Sequence, residues 1–247
     1  MSVFRFLTLA TLGALALSSP APAANKTLQP FSVVLSVTYR GIRAGKSELR
    51  LEPLSEGRWR YSSTNRARGL FRLAFPDDIE QYSELQLGAR GIQPLRYVAD
   101  DGSEDTARDI ALQFDWNQRK VSGLAEDEPV EINLGPEDPQ DPMSVQLALM
   151  WALQAGKSPD HYWLADKRQL KRYLYRAEGR ETLTVAGEAI QTVIWSSHRE
   201  GSDRVTRVWY AKDLSWIPLR AERRRGERVE WTMQAERYSL EHREIAD

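Results

Sequence analysis

The chain has 247 residues, a formal net charge of −1, no cysteine, and 8 tryptophan, 9 tyrosine and 6 phenylalanine residues. Its near-neutral charge argues against general nucleic-acid binding, which needs a clear positive excess. The lack of cysteine excludes disulfides and thiolate metal ligands, so packing has to stabilise the fold, and the aromatic content is sufficient for that.

The first predicted element is an export signal. Arg5 closes a short positive segment, residues 6–17 are uncharged and mostly apolar, and small residues up to Ala24 follow. This order predicts a signal peptide over residues 1–23, cleaved after Ala23 or Ala24. The apolar run is shorter than the roughly 20 residues that a membrane-spanning helix needs, and a lipoprotein anchor would need a cysteine. We therefore expect a protein free in the periplasm, with no transmembrane segment.

Alternating apolar residues dominate the rest of the chain. In residues 31–39 the odd positions are apolar and the even ones are mainly serine and threonine, which is typical of a half-buried strand. The same period recurs at residues 110–116 and beyond. Turn signals such as Asp101-Gly102 separate these runs, which predicts consecutive hairpins. We predict a mainly β fold, an antiparallel barrel-like or sandwich domain, as a single domain over residues 24–247.

Two segments depart from this alternation. Residues 126–141 contain seven acidic residues and three prolines, and they predict a loop that is either a domain boundary or a mobile flap. Residues 142–155 predict the one helix. Asp141 can cap its free N–H groups, Pro142 suits its first position, and Gly156 suits a left-handed stop. Its apolar stripe indicates that it plugs or flanks the sheet.

Sequence motifs for nucleophilic or metal chemistry are absent. The three histidines do not share ligand spacing, and Ser197 and His198 are adjacent on a predicted strand, so they point to opposite faces. The acidic run at residues 100–105 lacks the ligand order of a calcium loop and is interpreted as a hairpin turn. We therefore predict no catalytic residues, no metal site and no cofactor.

A carboxylate pair remains an alternative. Glu80 and Glu84 fall on the same face of a predicted strand, about 13 Å apart, which is too far for a glycosidase pair. A pair drawn from two different strands stays open, so a carboxylate-based hydrolase is kept as a hypothesis.

Candidate ligand-binding residues are aromatic or basic. Most tryptophans suit core packing, but a few on a concave face could stack on a sugar ring or cover an acyl chain. The candidates for this role are Trp116, Trp151, Tyr173 and Trp209. Basic residues cluster at 167–172 and 220–228; we interpret them as charged turns, with contact to envelope lipid phosphates or anionic glycans as the alternative.

Short motifs follow one another in a characteristic order. They are Tyr39-Arg-Gly-Ile-Arg-Ala-Gly45, Arg68-Gly-Leu-Phe71, Glu80-Gln-Tyr-Ser83, Gly91-Ile-Gln-Pro-Leu-Arg-Tyr97, Phe114-Asp-Trp116, Asp141-Pro-Met-Ser-Val-Gln146 and Val208-Trp-Tyr-Ala-Lys-Asp-Leu-Ser-Trp-Ile-Pro-Leu219. In this order, over residues 30–238, the chain resembles the exported bacterial proteins grouped as domain of unknown function 3108 (DUF3108). The resemblance implies a periplasmic, β-rich, barrel-like or sandwich fold, with no established activity and no catalytic residues to carry over.

Three functional hypotheses follow. The leading one is a non-enzymatic envelope protein that binds an amphipathic lipid or a glycan-like ligand in an apolar concavity lined by tryptophan and leucine, with the helix from Pro142 at its mouth. The second is an assembly partner of an envelope complex, which would show an exposed apolar patch or an unpaired sheet edge, its protein partner unidentified. The third is the carboxylate hydrolase, which needs two acids facing each other across a groove.

Overall fold

The computed structural model describes residues 28–240. The predicted signal peptide, with its cleavage residues Ala23 and Ala24, lies outside the described residues. Within them the chain is mainly β, as predicted, with fourteen strands and two α-helices.

The strands and helices follow one another along the chain in a simple order. The elements are β1 (Phe31–Tyr39), β2 (Ile42–Pro53), β3 (Arg58–Ala67), α1 (Phe71–Ala74), β4 (Ile79–Gly88), β5 (Gly91–Asp100), β6 (Ile110–Asp115), β7 (Lys120–Ala125), β8 (Glu128–Asn133), α2 (Ser144–Gln154), β9 (His161–Asp166), β10 (Gln169–Val185), β11 (Glu188–Arg199), β12 (Arg204–Ala211), β13 (Ile217–Arg225) and β14 (Arg228–Leu240).

All fourteen strands form one antiparallel sheet. Its order is β8-β7-β6-β5-β4-β3-β2-β1-β14-β13-β12-β11-β10-β9. Consecutive strands therefore pair with each other, except that β8 and β9 are the two edge strands, and the first strand, β1, also pairs with the last, β14. The predicted alternation explains the inner face, because Phe31, Val33 and Leu35 are all buried while the residues between them are half-buried. The prediction of consecutive hairpins is confirmed.

The sheet curves until its two end strands, β8 and β9, approach each other. The turn before β8 contacts the turn before β10: Lys167 pairs with Glu126, and Arg168 Nη1 lies 2.7 Å from Glu128 Oε2. A single parallel bridge, from Gln140 to Leu164, adds to these ion pairs. The barrel-like shape is therefore closed by side chains and a short bridge, not by a ladder between β8 and β9.

The predicted acidic loop over residues 126–141 is wrong in its first half, because β8 occupies Glu128–Asn133. Val130 and Ile132 are buried in alternation with exposed acidic and polar residues, so the strand period is present but was masked by charge. Pro129 is tolerated because β8 is an edge strand, where a missing N–H costs least.

Helix α2 lies against the inner face of the sheet and begins at Ser144, two residues later than predicted. Asp141 Oδ1 accepts the N–H groups of Met143 and Ser144, both at 2.7 Å, and Gly156 has the expected left-handed backbone (φ +68°). The side chains on several sides of the helix are buried, which is the pattern of a helix inside a core. The expectation that the helix plugs or flanks the sheet is confirmed.

Candidate functional site

An apolar cavity of about 440 Å³ lies on the inner face at one end of the sheet. It is lined by the ends of β1 to β4 and β14, together with α1 and the segment after it. The apolar lining residues are Val37, Tyr39, Ala44, Gly45, Ala67, Phe71, Phe75, Ile79, Trp231 and Met233. The polar lining residues are Lys46, Asn65, Arg66 and Asp77.

The register of the strands brings the cavity walls together. Tyr39 pairs with Trp231 and Val37 with Met233 across the β1–β14 ladder, and Val37 pairs with Gly45 on the other side of β1. Gly45 is required by close approach, since a Cβ atom there would lie 2.1 Å from the carbonyl oxygen of Arg66. Any side chain at this position would therefore push β3 away from β2.

The cavity is covered by the segment that joins β3 to β4, which contains the four-residue helix α1. The Phe71 ring packs edge-on against Tyr39, with 6.0 Å between ring centroids. One backbone bond ties the segment to β2, from Arg68 N–H to the Ala44 carbonyl at 2.8 Å. The helix expected at the mouth, α2, contributes none of the lining residues, so that expectation is wrong and α1 takes the place.

Helix α2 instead fills the other end of the sheet. Tyr61 donates a hydrogen bond to Gln146 Oε1, and Gln146 also bonds to the hydroxyl of Tyr210. Ser83 Oγ donates to Asp141 Oδ2 at 2.6 Å. Tyr61 lies four residues before Asn65, the nearest lining residue on β3, so these contacts are about 13 Å from the cavity.

Asp141 is a buried carboxyl group at this filled end. Burial raises its pKa to about 6, although hydrogen bonds from Ser83 and from the backbone of Ser144 and Met143 favour the charged form. The carboxyl group caps α2 and faces the protein interior. It therefore serves the fold, and it does not lie in the cavity.

Arg223 forms a polar region beside the apolar cavity. It pairs with Trp231 across the β13–β14 ladder, and its guanidinium lies 5.2 Å from the centre of that ring. Its Nε lies 3.4 Å from Thr206 Oγ1, and among the described residues no carboxylate lies within ion-pairing distance. Burial lowers its pKa below the ordinary arginine value.

Tyr173, one of the predicted ligand residues, lies on the inner face close to Arg223. Its hydroxyl lies 3.4 Å from Asp166 Oδ2, and burial together with this carboxylate raises its pKa. The guanidinium groups of Arg199 and Arg223 act on it in the opposite direction. Tyr173 therefore lies near the positive charge of Arg199 and Arg223, and its binding role stays a prediction.

Two of the other predicted residues are held by the fold. Trp116 Nε1 donates to the Pro94 carbonyl at 2.7 Å, and its ring stacks on Phe114. Trp209 is almost fully buried, and its Nε1 donates to Glu181 Oε2 at 2.7 Å. These contacts hold both tryptophan side chains within the fold.

Trp151, the fourth predicted residue, lines a separate groove of about 350 Å³ beside α2. Its ring packs over the backbone of Gly91, and Arg90, Asp138 and Lys157 make the groove polar. Of the four predicted residues, none lines the apolar cavity. Sequence reasoning missed the aromatic walls of the apolar cavity, because their residues come from strands that are distant in sequence. Only the pairing of β1 with β14 brings these strands together.

The acids considered for hydrolysis face away from the cavity. Glu80 and Glu84 alternate with the buried residues of β4, so they lie on the outer face, and Arg60 Nη2 contacts Glu84 Oε1 at 2.7 Å. Asp101 belongs to a turn, where it accepts bonds from Ser103 and pairs with Arg108 at 2.7 Å. No helix within residues 28–240 is long and apolar enough to cross a bilayer.

Comparison with solved structures shows the same type of fold. The chain is similar to a β-barrel-like protein of domain of unknown function DUF1849 from Brucella abortus, with 10% identity, 87% of this chain and 98% of that chain covered, and a TM-score of 0.57. More distant is MucB, with 12% identity, coverage of 87% and 54%, and a TM-score of 0.37. A Bacteroides fragilis protein with a YmcC-like fold gives 7% identity, coverage of 86% and 96%, and a TM-score of 0.34.

Comparison by sequence gives the family. None of the curated proteins matches the chain. The model of the family described as "Protein of unknown function (DUF3108)" matches residues 35–226, within the 30–238 expected from the motifs. Because this match covers most of the chain, the protein belongs to the DUF3108 family.

Proposed function

We propose that the protein is a non-enzymatic binding protein of the periplasm that holds the acyl chain of an amphipathic ligand in the apolar cavity under α1. The observation that carries the proposal is the cavity itself, about 440 Å³ in volume and walled by aromatic and aliphatic side chains. Small-molecule sites typically have volumes of about 300–1,000 Å³ and are mainly apolar, with few polar groups.

The energetics favour an acyl chain. Each methylene group transferred from water to an apolar site gains about 0.8 kcal/mol. A chain that buries about eight of them gains roughly 6 kcal/mol before the entropic cost of association. The gain grows with each further methylene group that is buried, so a longer acyl chain should bind more tightly without any specific polar contact.

A saccharide suits the cavity less well. Sugar recognition needs several hydrogen-bonding groups directed at the ligand, in addition to an aromatic platform. Among the polar lining residues, Asn65 Nδ2 already donates to Ser63 Oγ at 3.1 Å, and Arg66 pairs with Asp78 at 2.6 Å. We therefore favour the lipid over the glycan-like ligand.

Neither edge strand of the sheet favours the addition of a strand from a protein partner. Edge strand β8 carries Pro129 and Glu131, and both discourage the addition of a further strand. The edge of β9 is partly occupied by Gln140.

A titration with a fluorescent fatty acid tests the proposal. We expect the full mature chain to bind the probe saturably, and more tightly as the acyl chain of the probe lengthens. Ala67→Phe should weaken binding about tenfold or more, because the new ring occupies the cavity. Ala111→Phe is the matched control, since Ala111 is exposed on β6, and it should bind as the unmodified protein does.

A second variant guards against misfolding. Val37→Phe fills the same cavity from β1, and denaturant unfolding of both variants checks that they remain folded. Folded variants that bind the probe as well as the unmodified protein would overturn the proposal. Displacement of the probe by an oligosaccharide, but not by a fatty acid, would overturn it in favour of a glycan ligand.

A further inference from the structure

The rim of the cavity exposes an unusual amount of apolar surface. We define the mouth patch as Tyr39, Ile42, Leu70, Leu73 and Phe75. These are five of the seven large apolar side chains that are exposed in the described part of the chain, and Leu70 and Leu73 are 83% and 84% exposed. Apolar side chains concentrated in this way mark a surface that contacts something other than water.

The patch comes from two neighbouring segments. Residues 39–42 form the turn between β1 and β2, and residues 68–75 form the cover of the cavity. The Tyr39–Phe71 ring contact and the Arg68–Ala44 backbone bond hold the two segments together. The exposed side chains therefore lie around one opening.

Both segments also carry arginine and no acid. Arg40 and Arg43 flank Ile42, while Arg68 and Arg72 flank Leu70. Arg43 pairs with Glu236 at 3.0 Å, whereas among the described residues no ion pair engages Arg40, Arg68 or Arg72. The patch is thus apolar at its tip and positively charged at its base.

A basic groove of about 670 Å³ continues from this base on the outer face of β2 and β3. It is lined by the cations Lys46, Arg66, Arg68, Arg72 and Arg237, and Glu48 is its single acidic lining residue. Lys46 pairs with Glu236 and Arg66 with Asp78, so among the described residues Arg68, Arg72 and Arg237 are the lining cations without an ion pair. Clustered cations of this kind attract the anionic phosphate groups of a membrane surface.

From this arrangement we propose that the mouth patch docks on the surface of a membrane that contains anionic phospholipid. The apolar tip would enter the boundary between headgroups and acyl chains, and the arginines would contact the phosphates, as for amphipathic segments that lie in the interface. This proposal adds to the proposed binding function the place where the protein would act, the membrane surface. The docking itself does not require a ligand in the cavity. Transfer of a ligand from the membrane to the protein would require both the docking and the cavity.

A second copy of the chain fits this surface poorly. A two-fold dimer through the mouth patch would bring the same four arginines of both copies together. Like charges juxtaposed at an interface repel each other and weaken association. Charge complementarity therefore favours an anionic membrane over self-association.

Vesicle co-sedimentation tests the docking. The probes are vesicles of phosphatidylcholine alone and vesicles that also contain phosphatidylglycerol. We expect the full mature chain to bind the anionic vesicles at least about tenfold more strongly, and high salt should weaken this binding. Leu70→Ser with Leu73→Ser should reduce binding to the anionic vesicles about tenfold, because less apolar surface enters the interface.

The matched control is Leu87→Ser with Leu124→Ser, since both of these leucines are exposed outside the mouth patch. It should bind the vesicles as the unmodified protein does. Equal binding by the Leu70/Leu73 variant would overturn the proposal, and so would a lack of preference for the anionic vesicles. A dimer in solution that the Leu70/Leu73 variant abolishes would overturn it in favour of self-association.

The fatty-acid titration separates this proposal from the previous one. Val37 lines the cavity and lies outside the mouth patch, so Val37→Phe should lose the soluble probe and still bind the anionic vesicles. This result would show that docking does not require an occupied cavity. If the protein binds the vesicles but does not take up the soluble probe, the docking proposal holds and the proposed acyl-chain binding is wrong.

Discussion

The two ends of the same sheet differ in what covers their inner face. At one end α2 fills the space, and Tyr61, Leu85 and Leu147 have no exposed surface. At the other end only the four-residue α1 covers the face, and Tyr39 and Phe75 remain 38% and 43% exposed. A single strand, β1, runs from the filled end to the open end with an unbroken alternation of apolar residues.

This contrast shows that the alternation of apolar residues predicts which face of the sheet a side chain lies on. It does not predict whether another element packs against that face. Filling depends on the position of α2, which is fixed by contacts from residues distant in sequence. Gln146 bonds to Tyr61 on β3 and to Tyr210 on β12, and Asp141 bonds to Ser83 on β4. Within residues 28–240, the open end has no comparable set of polar contacts from a covering helix.

The largest expected effect is a difference in the free energy of unfolding between substitutions at the filled end and at the open end. Leu147→Ala removes a fully buried side chain from α2 and should lower the free energy of unfolding by about 3 kcal/mol, because it leaves a cavity in a packed core. Met233→Ala, at the wall of the existing cavity, should cost about 1 kcal/mol or less. Urea denaturation of both variants measures the difference. Equal losses would contradict the contrast between a filled and an open end.

The next effect concerns the buried carboxyl group at the filled end. The folded-state pKa of Asp141 is about 6, above the ordinary value of 3.8, so the folded protein binds the proton more tightly than the unfolded chain does. Asp141 should therefore reduce stability as the pH rises from about 4 to 6, by roughly 2–3 kcal/mol.

Asp141→Asn tests this pH dependence. Its amide oxygen can still accept from the backbone of α2, and its amide nitrogen can donate to Ser83 Oγ. The free energy of unfolding of the variant, minus that of the unmodified protein, should become more positive from pH 4 to pH 7. Parallel stability curves over this range would show that Asp141 does not titrate there.

Local patterns predicted much of the fold. Alternation identified the strands, and Asp141 and Gly156 identified the limits of α2 to within two residues. Strand β8 was missed because its acids and Pro129 resemble a loop. The pairing of β1 with β14 and the approach of β8 to β9 are long-range contacts, and local periodicity carries no information about them.

The candidate site was harder to predict, for the same reason. Tyr39 and Trp231 form one wall only because β1 and β14 are neighbours. One local signal was available in the segment Arg68-Gly-Leu-Phe-Arg-Leu-Ala-Phe75. It interleaves arginine with large apolar residues and contains no acid, and this pattern is uncommon for a segment buried in a core. Trp116 and Trp209, chosen by residue type alone, are instead held by hydrogen bonds within the fold.

The central claim is that the open end holds an acyl chain. Native mass spectrometry of the mature protein, purified from periplasm without detergent, tests it most directly. The account predicts an added mass that fragments to a lipid or fatty acid, present with Ala111→Phe and absent or much reduced with Ala67→Phe. Folded protein without any lipid, or a lipid retained equally by both variants, would contradict it.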